Sequence, residues 1–285
     1  MIFFLEPPVN WRIIILIVKK NRSKAKMKSD EEMNRRHFIK MVSTYGLSAL
    51  TVPVIPSLLS SRPMQSTVSI AKGKVKHALL VDKVINNLGG MKKFISRGDI
   101  VSIKPNLVYA NSYKLATTTN PYVVKRIIEL CFEAGAKTVK VTDNPSDGSD
   151  AKQAFRLNGI QKVCKQTGAV LIMPAENKFV EMNIKGRKLK KYPVYKDLIE
   201  CDKLINIPIV KNHMITNYSG AIKNLLGAVG GTRFELHESI NQNLVDLAKF
   251  FKPRLNIVDG IRVLYRNGPQ GGSVKDVLYK HTLVA

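Results

Sequence analysis

The sequence predicts an α/β fold: a mostly parallel sheet with helices on both faces, plus a small β-hairpin insertion. Three observations carry this. After residue 67, strand-like and helix-like patterns alternate along the chain. Four short segments, DIVSIK, TVKVT, KLINI and RLNIVD, read as buried strands. Polar residues follow these strands directly, as they do where an open sheet carries a ligand beyond its carboxyl ends. The 285 residues, 45% of them hydrophobic, suffice for one large domain of this kind or two small ones.

The elements follow in order. Val68–Ala71 reads as a short first strand. Residues 76–94 carry Leu80, Val84, Ile85 and Leu88 at helical spacing. Asp99–Lys104 is a strand after the turn at Gly98. Pro121 suits the first helical position, Asn120 caps it, and the helix runs to Glu133 before Gly135. Thr138–Thr142 is the next strand and completes a βαβ unit. Ala151–Leu157 and Ile160–Thr167 are short helices, and Ala169–Met173 a strand. Val180–Ile184 and Leu189–Tyr195 flank a basic turn, residues 185–191, expected to be a solvated hairpin tip. Asp197–Cys201 is a helical turn, Lys203–Ile207 a strand, and Ser219–Leu226 the start of a small-residue helix. Ile240–Phe251 is a helix with Leu244, Leu247, Ala248 and Phe251 on one face, and Arg254–Asp259 a strand. Lys280–Ala285 enters a strand-like run and stops, so the domain at 67–285 is expected to be truncated at its C-terminus.

Residues 1–66 are expected to be an N-terminal extension, signal and linker. Asn34-Arg-Arg-His-Phe-Ile-Lys40, followed by an apolar stretch from Met41 to Leu59, has the form of a twin-arginine export signal. That route carries folded proteins. The expected location is therefore periplasmic, or membrane-tethered if the signal stays uncleaved near Leu58–Ser61, and the export machinery is an expected partner. Residues 1–32 read as a mis-assigned start, with Met33 or Met27 the true initiator; an amphipathic anchor is the alternative. After residue 60 no apolar run approaches the roughly eighteen residues a spanning helix needs.

Net charge is +25. Residues 1–66 hold 11 Lys/Arg against 4 Asp/Glu, and the remainder holds 35 against 17, so the domain itself stands at +18. Such an excess calls for an anionic partner. An exported protein does not meet nucleic acid, which leaves anionic lipid or a phosphate- or carboxylate-bearing ligand; the expected partner is an anionic small molecule. Cys131, Cys164 and Cys201 are far apart, with no ferredoxin-type cluster spacing and no reason for a disulfide framework. The P-loop, the dinucleotide fingerprint, G-x-S-x-G and H-E-x-x-H are all missing from the sequence.

Side by side, the strand ends would line one crevice with Lys104, Asn106, Asp143, Lys211, His213 and Asp259. Ser219-Gly220-Ala221 reads as a helix start with free backbone N–H groups, with Lys223 and Asn224 in its first turns. Thr118 and Thr119 belong to a second hydroxyl-rich helix start. Arg233 suits bidentate binding of a carboxylate or phosphate, and His237 follows it. His213 is a general acid/base or a metal ligand. The catalytic candidates are His213, Lys223 and Lys104; the metal and cofactor stay open.

Lys104-Pro-Asn-Leu-Val108, Thr118-Thr-Asn-Pro121, Glu133-Ala-Gly-Ala136, residues 202–208, Lys211-Asn-His213, Gly220-Ala-Ile-Lys-Asn-Leu-Leu-Gly227 and Asp259-Gly260 with Gly268-Pro269 occur in this order. The ordered set resembles the family catalogued as domain of unknown function 362. The family carries no settled reaction. Many of its members hold ferredoxin-like cluster domains, which the cysteines here do not match. Residues 211–227 also look distantly like the histidine-then-lysine region of nickel-pincer lactate racemases. That likeness implies Lys223 as a cofactor-attachment residue and His213 as a base. Two classes stay open: an exported enzyme or redox accessory acting on an anionic small molecule, and a non-catalytic binding protein for such a ligand.

Overall fold

Two strands that run from one sheet into another organise the molecule, seen in a computed structural model that describes residues 66–146 and 149–285. The export signal, its cleavage site, the alternative starts and most of the extension lie outside the described residues. In chain order the elements are β1 (Ile70–Lys72), α1 (His77–Asn86), β2 (Ile100–Pro105), α2 (Pro121–Glu133), β3 (Thr138–Val141), α3 (Ala151–Leu157), α4 (Ile160–Thr167) and β4 (Val170–Leu171). There follow β5 (Phe179–Asn183), β6 (Lys191–Tyr195), β7 (Lys203–Ile207), β8 (Ile209–His213), β9 (Asn217–Ser219) and α5 (Ala221–Asn224). The chain ends with α6 (Ile240–Phe251), β10 (Leu255–Asn256), β11 (Val258–Leu264) and β12 (Val277–Val284).

The first sheet is all parallel, in the order β10-β7-β2-β3-β4. Alternation along its strands assigns each face. Val101, Ile103, Val139, Val141, Ile205 and Ile207 join a core with α1, α2, α3 and α4. Leu204 points the other way, into a core with the β5–β6 hairpin, Leu225 and α6. Helices therefore cover both faces, as the sequence predicts, and β5–β6 is the expected hairpin insertion.

The second sheet, β1-β12-β11-β8-β9, mixes antiparallel pairs with one parallel pair, β11–β8. The sequence reading lacked it. The predicted strand at Arg254–Asp259 is two strands: β10 ends at Asn256 and β11 begins at Val258. Likewise β7 passes into β8 across Pro208, which has no N–H to give a ladder. The Asp259 N–H donates to Pro208 O at 2.8 Å and fastens the two crossings together. The carboxyl ends of the parallel strands thus open where the second sheet begins.

Two other expectations change. The first helix stops at Asn86, because Gly89 and Gly90 take φ of +99° and +84°. The helix expected from Ser219 is shorter: Ser219 ends β9, α5 has four residues, and Leu225–Ala228 continues as a 3-10 turn. The basic hairpin tip is solvated as expected, with Lys185, Arg187, Lys188, Lys190 and Lys191 exposed, while its backbone docks on α6. The Asp246 carboxylate on α6 accepts the N–H groups of Lys188 (2.8 Å) and Leu189 (3.0 Å), and a Cβ at Gly186 would lie 2.5 Å from Asp246 Cγ. Burial alone would raise its pKa, but these bonds hold it near 2. Replacing Asp246 with Ala strands two N–H groups and is expected to cost about 2 kcal/mol, read by urea denaturation. An unchanged midpoint would show that the tip is not fastened there.

Candidate functional site

Lys104 ends β2 and Asp143 follows β3, so two adjacent parallel strands deliver an amine and a carboxylate to the same place. Their contact is 2.6 Å and the side chains are 1% and 2% exposed. Asp143 also accepts the Leu107 N–H at 2.6 Å. Burial pushes Lys104 down and Asp143 up, and each charge opposes the other's shift. Whichever atom holds the shared proton, the pair is neutral as a unit. Gly227 makes room for it: a Cβ there would collide with Asp143 Oδ1 and lie 2.8 Å from Lys104 Nζ.

Beside this pair stands a second amine, from β8. Lys211 Nζ donates to Thr117 O at 2.8 Å and Asn106 Oδ1 at 3.1 Å. Burial, then the charge of Lys223, bring its pKa down to about 7. Lys223 on α5 is half-buried and falls to about 8 through burial. No other described residue gives its amine a hydrogen bond or ion pair. His213 closes the group. Burial first, then Lys223, Lys211 and His237, lower its pKa to about 4. The four side chains therefore share one electrostatic neighbourhood, with the Asp143 carboxylate already committed to Lys104.

Asparagines set the geometry. Asn106 Nδ2 donates to Asn224 Oδ1 at 2.8 Å. Asn224 Nδ2 reaches Asn206 Oδ1 at 2.8 Å and the carbonyls of Lys104 and Pro105 at 3.3 and 3.4 Å. Asn206 donates in turn to Ala221 O at 3.0 Å and to Asn256 Oδ1 at 2.9 Å. This chain locks α5, and hence Lys223, onto β2 and β7. Thr119 serves the same end: its hydroxyl accepts the Asn106 N–H at 2.8 Å and donates to Ile207 O at 2.7 Å.

The ring of His213 has a defined donor side. Nδ1 accepts the Ile215 N–H at 3.2 Å, so the neutral imidazole carries its hydrogen on Nε2. In this state His213 donates, and the groups able to accept a proton near neutral pH are Lys211 and Lys223. His237, in a 3-10 turn at residues 235–237, stacks on it with centroids 6.3 Å apart and planes at 22°.

Other expected site residues have different roles. Asp259 is fully buried, and its carboxylate accepts the N–H groups of Asn120 (2.8 Å) and Ile261 (3.1 Å). It anchors the start of α2, where Asn120 caps Tyr122 N as the sequence predicts. Arg233 donates to the carbonyls of Asn144 and Pro145. Ser219 pairs with Lys211 across β8–β9. Gly220 precedes α5, and a Cβ there would strike the Tyr218 hydroxyl. With four residues, α5 is too short for a helix-dipole anion site. Thr118 is fully buried and its hydroxyl has no hydrogen-bond partner among the described residues. Among these residues no group of three or more His, Cys, Asp or Glu side chains could hold a metal ion, and no helix is long and apolar enough to cross a membrane.

Sequence reading missed Asn206, Asn256 and the pairing of His237 with His213. Asn206 had a signal, as a polar residue inside the apolar strand KLINI. His237 had none, since 24 residues separate it from His213.

The chain is similar to several known proteins. A relative, the thylakoid-associated protein sll1697 of Synechocystis sp., is 30% identical over 202 residues, which cover 68% of this chain and 61% of that protein. Among solved structures, the lactate racemase apoprotein of Thermoanaerobacterium thermosaccharolyticum superposes with a TM-score of 0.47 at 12% identity, covering 75% of this chain and 53% of that one. A Thermotoga maritima protein gives 0.43 at 10% identity, covering 70% and 54%. The model of the family described as a domain of unknown function, DUF362, matches residues 101–282, and the chain belongs to that family.

Proposed function

We propose that the crevice binds an anionic small molecule or cofactor, and that the chain is an enzyme or redox accessory acting on it. The carrying observation is the meeting of Lys211, Lys223 and His213 beside a Lys104–Asp143 pair that neutralises only itself. An anion there would restore charge to two amines that burial depresses, and His213 Nε2 would donate to it. Until an anion is seated, Lys223 is a proton acceptor with no competing partner among the described residues; a seated anion favours its protonated form. Mass spectrometry and metal analysis of natively purified protein test the assignment. A bound organic cofactor or stoichiometric metal supports the enzyme; protein that emerges clean and turns over no candidate anion leaves the binding module.

A second reading, distant kinship with nickel-pincer lactate racemases, is favoured by His237, which provides a second imidazole stacked on His213. The residues present fit such a group: Lys223 offers an amine with no hydrogen bond or ion pair among the described residues as the point of attachment. This reading requires His213 to release the Ile215 N–H before it can accept a proton. Covalently modified Lys223 together with nickel would support it, and an unmodified Lys223 would oppose it.

Export by the twin-arginine route completes the proposal, and rests on Arg35 and Arg36. Changing both to Lys is expected to leave precursor in the cytoplasm, read by fractionation and immunoblotting. Export of the double variant at the wild-type level would remove this assignment.

A further inference from the structure

Around the cationic crevice the surface is unusually apolar. The two most exposed large hydrophobic side chains among the described residues are Met214, 79% exposed, and Phe234, 71% exposed. Both flank His213. Met214 follows it in the chain, and Ile215, itself 55% exposed, gives its N–H to the His213 ring. Phe234 packs on His237 with centroids 5.8 Å apart, and His237 stacks on His213. Single exposed apolar residues are ordinary. Three beside one buried histidine, two in the segment that directly follows it and one linked to it through His237, form an apolar edge.

We infer that the ligand of this site is an amphipathic anion, with its charged head at Lys211, Lys223 and His213 and an alkyl or aromatic part on Met214, Ile215 and Phe234. The inference rests on the anion site proposed above and adds its substrate class. The edge and the head site lie in direct sequence: ring contacts run from Phe234 through His237 to His213, and Lys223 and Lys211 act electrostatically on that same histidine. A small hydrophilic anion would use only the inner part. It would leave the most exposed apolar side chains of the domain in water for no gain. An amphipathic anion satisfies both parts at once. The domain's net positive charge favours the same class, whether the molecule is free or is the anionic headgroup end of a lipid.

A homologous series tests this: inorganic phosphate, butyl phosphate and octyl phosphate, titrated into the protein below their aggregation concentrations and followed by calorimetry. Affinity is expected to rise about three- to fourfold for each methylene that reaches the edge. Phe234→Ala and Met214→Ser, at exposed positions that do not carry the fold, should flatten the series while leaving phosphate binding unchanged. Lys223→Ala should weaken every member alike. Sedimentation with phosphatidylglycerol vesicles, against phosphatidylcholine vesicles, identifies the source. Phosphatidylglycerol-specific binding lost in Phe234→Ala assigns the ligand to the bilayer; octyl phosphate binding without sedimentation assigns it to free molecules; both support the inference. Octyl phosphate no tighter than phosphate, or a chain-length gain that survives both substitutions, overturns it and leaves the anion site standing. Failure of every phosphate and both vesicles would remove the anion site as well.

Discussion

Replacing Asp143 with Ala is expected to destabilise the protein by about 3–5 kcal/mol, the cost of leaving one partner of a buried ion pair alone. Among the described residues Lys104 has nowhere to turn: its only other acceptor there is the neighbouring carbonyl of Pro105 at 3.2 Å. The Leu107 N–H loses its partner in the same substitution. Removing both charges, as Lys104→Met with Asp143→Leu, should recover much of the loss, since a buried pair contributes little net stability against a packed apolar one. Gly227 leaves no spare space, so the recovery is expected to be partial. Urea denaturation of the two variants measures this. A loss below about 1 kcal/mol in Asp143→Ala would mean that Lys104 is hydrated, contrary to its burial.

Ligand binding and empty-state stability should respond to pH in opposite directions. Lys211 and Lys223 give up their protons near 7 and 8 in the folded protein, against an ordinary value of 10.5. Between those limits the unfolded chain holds more protons, so the ligand-free protein should gain stability as pH rises from about 7 towards 10.5. An anion needs the protonated amines. The stabilisation it provides should be largest below pH 7 and fade through pH 8, with a ceiling of about 2.7 kcal/mol at a hundredfold excess over the dissociation constant. His213 contributes nothing to this window, because its transition lies near 4. Thermal melts across pH 6 to 10, with and without phosphate, read both trends. Ligand-free stability that falls over this range would show the two amines to be ordinary surface lysines.

The parallel sheet was legible in the sequence because its strands are bounded by punctuation that acts locally. Asn120 and Pro121 start α2, and Gly135 follows its end, each through its own backbone preference. The second sheet was hidden because its strands begin where others stop. Pro208 separates β7 from β8 by one residue, and β8, reading Ile-Val-Lys-Asn-His, carries its polar residues for the site rather than for solvent. Lys104, Asn106, Asp143 and Lys211 come together in the structure because strand ends are where a parallel sheet exposes polar side chains. Asp259 was misassigned by the same reasoning. Its strand passes into the second sheet, so its carboxylate meets the backbone of α2 and not the crevice. The Asn206–Asn224–Asn106 chain depends on three distant segments, and pairing at that range leaves no local pattern to read.

The central claim is that Lys211 and Lys223 form one anion site. The direct measurement is the phosphate-induced shift in melting temperature at pH 6.5, in wild type, Lys211→Ala and Lys223→Ala. The account predicts a clear upward shift in wild type that is lost or greatly reduced in both variants, with Lys223→Ala melting no lower than wild type when ligand is absent. Equal shifts in all three proteins would contradict it.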